Sequence, residues 1–112
     1  MERVNEREKE FRYKTHGPKY MMRGPNLEWG IILLRPNDTL GKHIHEKVEE
    51  IFFFLEGSPL MEVAGERFIV KPNEAVRISP KEPHDIINNT NENVKAIFIK
   101  SPYLPEDKIS IQ

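Results

Sequence analysis

Three of the chain's four histidines are His43, His45 and His84, and the first two are separated by a single residue. Glu50 follows shortly after them, then Gly57, and Asn88 follows His84. In a strand, residues two apart project from the same face. His43 and His45 can therefore aim both imidazoles at one point, and Glu50 and His84 can join them from neighbouring strands. Three neutral imidazoles and one carboxylate suit a divalent transition metal such as Mn, Fe, Co, Ni or Zn. A lone histidine is usually a surface or hydrogen-bonded structural residue; a His-x-His pair with a carboxylate and a third histidine points to a metal. Four protein donors leave about two positions of an octahedral ion open to water, substrate or oxygen, the mark of a catalytic rather than a closed structural site. Cysteine is absent, which removes thiolate ligands, thiol nucleophiles and disulfides.

The elements that must hold these residues read as strands. Beyond the first residues, short apolar runs are broken by Pro, Gly and Asn, with no convincing 3.6-residue period. Candidate strands are Tyr20–Arg23, Leu27–Arg35, Lys42–His45, Glu50–Glu56, Leu60–Val63, Glu66–Val70, Ala75–Ile78, His84–Asn89 and Val94–Lys100. Many short strands at this spacing predict an all-β antiparallel sandwich or barrel. Arg35-Pro36-Asn37-Asp38 and Lys71-Pro72-Asn73-Glu74 share a basic-Pro-Asn-acidic pattern. Each is expected to turn between strands, with Asn in a left-handed conformation.

These residues resemble the cupin superfamily. Its first motif, Gly-x5-His-x-His-x3–4-Glu-x6-Gly, is matched by Asn37-x5-His43-Ile44-His45-x4-Glu50-x6-Gly57. Its second, Gly-x5-Pro-x-Gly-x2-His-x3-Asn, is matched less fully by Asn73-x5-Ser79-Pro80-Lys81-x2-His84-x3-Asn88. The resemblance spans roughly residues 19 to 100. Asn is the best substitute for Gly where the chain turns left-handed, so Asn37 and Asn73 depart little from the pattern. Lys81 at a motif glycine departs more. The resemblance implies a double-stranded β-helix, or jelly-roll barrel, from residue 19 to residue 112 including a C-terminal tail, after a charged arm at residues 1–18. It implies metal ligands at His43, His45, Glu50 and His84. It also makes two reaction types plausible on a small polar, oxygen-rich metabolite: sugar-type isomerisation or epimerisation, and oxygen-dependent dioxygenase cleavage. The alternative is a non-catalytic module that binds or senses a small molecule or a metal.

Alternation assigns faces. If Glu50 points inward, so do Phe52 and Phe54, with Glu56 near the rim. Ile51, Phe53 and Leu55 then point outward and are equally apolar, which calls for cover, and a second copy in a homodimer supplies it. Glu49 and Glu46 fall on the outer face. His16 lies in a turn outside the motif, and Asn88 is expected to hydrogen-bond without ligating. Arg23, Glu28, Arg35, Arg77 and Lys81 are polar candidates for the pocket mouth; Arg77 alternates with Val76 and Ile78 and reads as an outward charge. Tyr20 and Trp29 read as barrel packing. The proline-braced tail Pro102–Lys108 is expected to lie across the barrel or a neighbouring subunit, with no chemistry of its own.

The 112 residues suffice for one hydrophobic core. Seventeen Lys and Arg against eighteen Asp and Glu give a net charge of -1, which offers no electrostatic footprint for nucleic acid. No apolar stretch approaches the roughly 20 residues that span a bilayer, and the charged first residues do not resemble a signal peptide. The expected compartment is the cytoplasm. Asn37-Asp38-Thr39 and Asn88-Asn89-Thr90 match the glycosylation pattern by chance on that view.

Overall fold

The β-branched and aromatic runs pair almost wholly as antiparallel strands, in a computed structural model that describes residues 1–111. In chain order they are β1 (Gly17–Arg23), β2 (Glu28–Leu34), β3 (His43–Ile44), β4 (Glu49–Glu56), β5 (Leu60–Val63), β6 (Glu66–Ile69), β7 (Ala75–Ile78), β8 (His84–Ile87), β9 (Val94–Ser101) and β10 (Ile109–Ser110). One sheet has the order β1-β2-β9-β4-β7 and the other β10-β3-β8-β5-β6. Nine of these strands lie where the sequence pattern puts them. β3 is shorter than expected, so His45 falls just beyond it; β8 ends at Ile87 rather than Asn89. The tenth strand went unforeseen because Ile109 and Ser110 are both exposed and carry no alternation signal.

Cross-strand rows show how alternation sorts the larger sheet. Gly30, Phe98, Phe52 and Val76 lie side by side across β2, β9, β4 and β7, and Ile32, Ala96 and Phe54 form the next inward row. Phe52, Phe54 and Phe98 are almost completely buried and pack with Ile32, Leu34, Met61, Ile78, Ile86 and Val94 between the sheets. Gly30 makes room for this row, since a Cβ there would come within 2.7 Å of the Phe98 ring. The outward set on β4 is less covered: Phe53 and Leu55 are 37% and 38% exposed.

The two Pro-Asn turns are built alike. Asn37 and Asn73 have φ of 73° and 74°, and the acidic side chain after each accepts from the backbone N–H three residues earlier, at 2.8 Å for Asp38 and 2.6 Å for Glu74. A third copy follows at Ser79-Pro80-Lys81-Glu82, where the Glu82 carboxylate accepts from the Ser79 N–H at 2.7 Å. Lys81, at φ 71°, occupies the left-handed position that Asn takes in the other two. The loop before His84 thus has the same shape as its counterparts, despite the missing glycine.

Both ends of the chain pack on the barrel. After a 3-10 turn at Glu6–Glu8, the Glu6 carboxylate lies 3.4 Å from both Lys19 and Lys95, and the Arg12 N–H donates to Pro18 at 2.9 Å. At the other end β10 pairs with β3, placing Ser110 opposite His43.

Candidate metal centre

β3 and β8 pair so that His43 faces His84, and β4 crosses from the other sheet with Glu50 turned inward. His43, His45, Glu50 and His84 are 4%, 3%, 3% and 0% exposed. The Glu50 Oε1 lies 3.1 Å from Nε2 of His45, 3.1 Å from Nε2 of His84 and 3.8 Å from Nε2 of His43. One donor atom from each residue lies within 4.8 Å of every other. Ligands about 2.1 Å from an ion and at right angles sit about 3.0 Å apart, close to these separations. The sequence-derived four therefore meet at one point.

The far sides of the rings explain the convergence. Each Nδ1 faces a backbone carbonyl: Gly41 at 2.7 Å for His43, Glu82 at 2.9 Å for His84, and Asp107 for His45. A carbonyl only accepts, so Nδ1 must carry the proton, and in the neutral ring Nε2 then presents a lone pair. Three inward lone pairs facing a buried carboxylate repel one another unless a cation sits among them. That donor set fits a divalent transition ion, with outer hydrogen bonds that fix each imidazole's tautomer and orientation. Burial pushes the Glu50 carboxyl up; the hydrogen bonds that His43, His45 and His84 donate from Nε2–H when their rings are protonated, with the charge of Lys100, hold it well below the usual range. Burial lowers His43, against the pull of Glu50 and with the help of His84, which favours the neutral ring a metal requires.

The tail, expected to lie across the barrel with no chemistry of its own, orients a ligand residue here. Besides the Asp107 carbonyl on His45, the Asp107 carboxylate accepts from the backbone N–H groups of Glu46, Lys47 and Val48 at 2.9, 2.8 and 2.9 Å. It thereby pins the β3–β4 turn that delivers His45. Nothing in the sequence spacing links residues 45 and 107; Asp107 looks like one more loop acid.

A cleft leads to this cluster. It is lined by His43 and Glu50 together with Tyr20, Lys100, Arg12 and Lys108, with Pro18, Ile32, Leu40 and Phe98 as apolar walls. It encloses about 270 Å³ of empty space, mouth included, and is narrow inside. Lys100 lies between Glu28 and Glu50 in one inward row; it donates to the Tyr20 hydroxyl at 2.9 Å and sits 3.4 Å from Glu28, which also pairs with Arg23 at 2.9 Å. Burial lowers Lys100, but Glu50, Tyr20 and Glu28 raise it above its usual value, so it is a cation at neutral pH.

Other sequence candidates sit elsewhere. Arg35 pairs with Asp38 on the surface at 2.9 Å, and Arg77 points outward to Glu49 at 2.9 Å. Lys81 is exposed, and Arg23 reaches the interior only through Glu28. Tyr20 lines the cleft, whereas Trp29 lies on the outer face beside Ile99. Asn88 is fully buried but does not enter the metal cluster: it donates to Leu34 and Glu92 and accepts from Thr90 at 2.6 Å. His16 stacks on Tyr13.

The model for the cupin domain matches residues 30–100, most of the chain. The chain belongs to the cupin family. An uncharacterised Methanocaldococcus jannaschii protein is 41% identical over 66 residues, 58% of this chain and 53% of its own length. This cupin spans about half the length of the curated relatives it matches. A Klebsiella pneumoniae protein with a double-stranded β-helix domain superposes with a TM-score of 0.84 at 12% identity, covering 100% of this chain and 98% of its own. Oxalate oxidase, in a complex with the substrate analogue glycolate, superposes with a TM-score of 0.69 at 17% identity, covering 77% of this chain and 46% of its own. At such identities the superpositions establish the fold alone. Among the described residues, no helix of this cupin is long and apolar enough to cross a membrane.

Proposed function

We propose that this cupin is a metalloenzyme acting on a small polar, oxygen-rich metabolite, with a divalent transition metal held by His43, His45, Glu50 and His84. Convergence of three Nε2 atoms on one Glu50 oxygen, each ring oriented from behind by a carbonyl, carries this reading. Such a metal supplies Lewis acidity or a site for oxygen, and two open positions for ligands. The chain's own contribution is to present the cluster to a cleft on the His43 and Glu50 side. There Tyr20 and Lys100 place a phenol and an ammonium beside any bound ligand, and Phe98 and Ile32 exclude water. The reaction is either sugar-type isomerisation or oxygen-dependent cleavage; oxalate oxidase shows that this fold serves an oxidase elsewhere. Oxygen uptake by iron-loaded protein across a panel of catechols and diketones separates the two.

The decisive experiment measures metal in protein purified without an affinity tag. Parent protein is expected to carry or take up one ion per chain, and His45→Ala to lose it while its strand signature by circular dichroism is unchanged. Equal metal binding by parent and variant would overturn the ligand assignment.

We also propose a cytoplasmic homodimer joined through the outward face of β4, where Ile51 and Phe53 line up with Ile99 and Ile97 of β9 beside the half-exposed Leu55. Sedimentation at micromolar concentration is expected to give a dimer; a monomer would remove it.

A further inference from the structure

The cleft's charge is lopsided. Its lining carries three cationic side chains, Arg12, Lys100 and Lys108, against one carboxylate, Glu50. Lys100 is compensated by Glu28 and Tyr20. Arg12 and Lys108 form no ion pair among the described residues. They come from opposite ends of the chain yet wall the same opening, and each lies close enough to repel: burial, then Arg12 and Lys100, lower Lys108 despite Glu50. A divalent ion on the Glu50 cluster would add further positive charge. Like charges gathered around a narrow cleft repel one another; an anion relieves that repulsion, whereas a neutral polyol accepts hydrogen bonds but leaves the charge uncompensated.

We propose that the cleft takes a small metal-chelating carboxylate, recognised by Lys108 and Arg12 at the mouth and by Lys100 beneath. This rests on the metal-binding reading above and narrows its substrate to an anion, with the carboxylate's charge drawn to the cations and an adjacent oxygen left for the metal. Lys108 and Arg12 are specificity-determining residues, because they have no other charge partner, whereas Lys100 also braces Glu28. The narrow interior favours a ligand of few atoms.

Lactate and its neutral amide, lactamide, are matched probes. The full chain is loaded with Co(II), and each probe is titrated while the visible Co(II) bands are followed. Lactate is expected to perturb the bands at least about tenfold more tightly than lactamide. Its affinity should fall several-fold between about 20 and about 200 mM salt. Lys108→Met and Arg12→Met should each weaken lactate by roughly three- to tenfold and leave lactamide unchanged, and Lys108→Arg should restore most of the loss. Both positions are exposed, so circular dichroism is expected to match the parent. Lactamide binding as well as lactate, or Lys108→Met and Arg12→Met matching the parent, overturns the proposal while leaving the metal site intact. Absence of any Co(II) bands instead removes the metal reading, and the chelation with it.

Discussion

Replacing Asp107 by alanine tests whether the tail holds the candidate metal centre together. The substitution removes the acceptor of three backbone N–H bonds, from Glu46, Lys47 and Val48. Hydrogen bonds to a charged acceptor reach about 1.5–3 kcal/mol, but Glu46 and Lys47 are exposed and regain water, so about 0.7 kcal/mol each, about 2 kcal/mol in all, is the fitting scale. For a domain of this size that lowers Tm by about 8–12 °C. The Asp107 carbonyl that orients His45 is then no longer anchored, and loss of such an outer partner weakens metal binding by roughly 10- to 100-fold. Asp107→Asn keeps one oxygen, and so two of the bonds if it replaces the atom shared by Lys47 and Val48; it should fall between parent and alanine variant. Burial pushes the Asp107 carboxyl up, but the three N–H groups hold it below its usual value. Its contribution is therefore complete above the unfolded value of about 3.9 and is lost as pH falls through the lower folded value, so the Tm gap between parent and Asp107→Ala should close in strong acid. Melting curves and competition with a chelator check both halves. A variant with the parent's Tm and metal affinity at neutral pH would refute the strap.

Two further outcomes are expected. Lys81→Asn relieves a left-handed lysine in the third copy of a turn that uses Asn twice, and should stabilise by about 0.5–1 kcal/mol, seen as a Tm rise of several degrees; a fall would show that the Lys81 side chain makes a contact worth more than the strain. Metal retention should drop as pH falls below about 6, because protons compete for the three imidazoles. Elemental analysis after dialysis at stepped pH measures this, and retention independent of pH would contradict imidazole ligation.

The convergence of the four candidate ligands was legible because their spacing carries it: His43-x-His45, Glu50 and His84 stand at intervals that strand alternation turns inward. Phe52 and Phe54 followed from the same alternation. The cleft was not legible. Arg12 sits in a run of mixed charge, and Lys108 in a tail whose strand shows no apolar pattern; only the closure of both segments over the barrel gives them a common target. Arg35 was a fair candidate by type, but an acidic neighbour three residues on claims it. The third turn escaped because Lys81 hides a backbone conformation that Asn37 and Asn73 advertise.

Pairing of β10 with β3 has a temporal consequence. During synthesis, residues 43, 45, 50 and 84 leave the ribosome well before residues 107 and 110 that orient and flank them. A nascent chain thus owns every donor atom while His45 still lacks the carbonyl that selects its tautomer. A metal on these donors would meet a fully oriented His45 only after residue 107 has emerged and β10 has paired with β3.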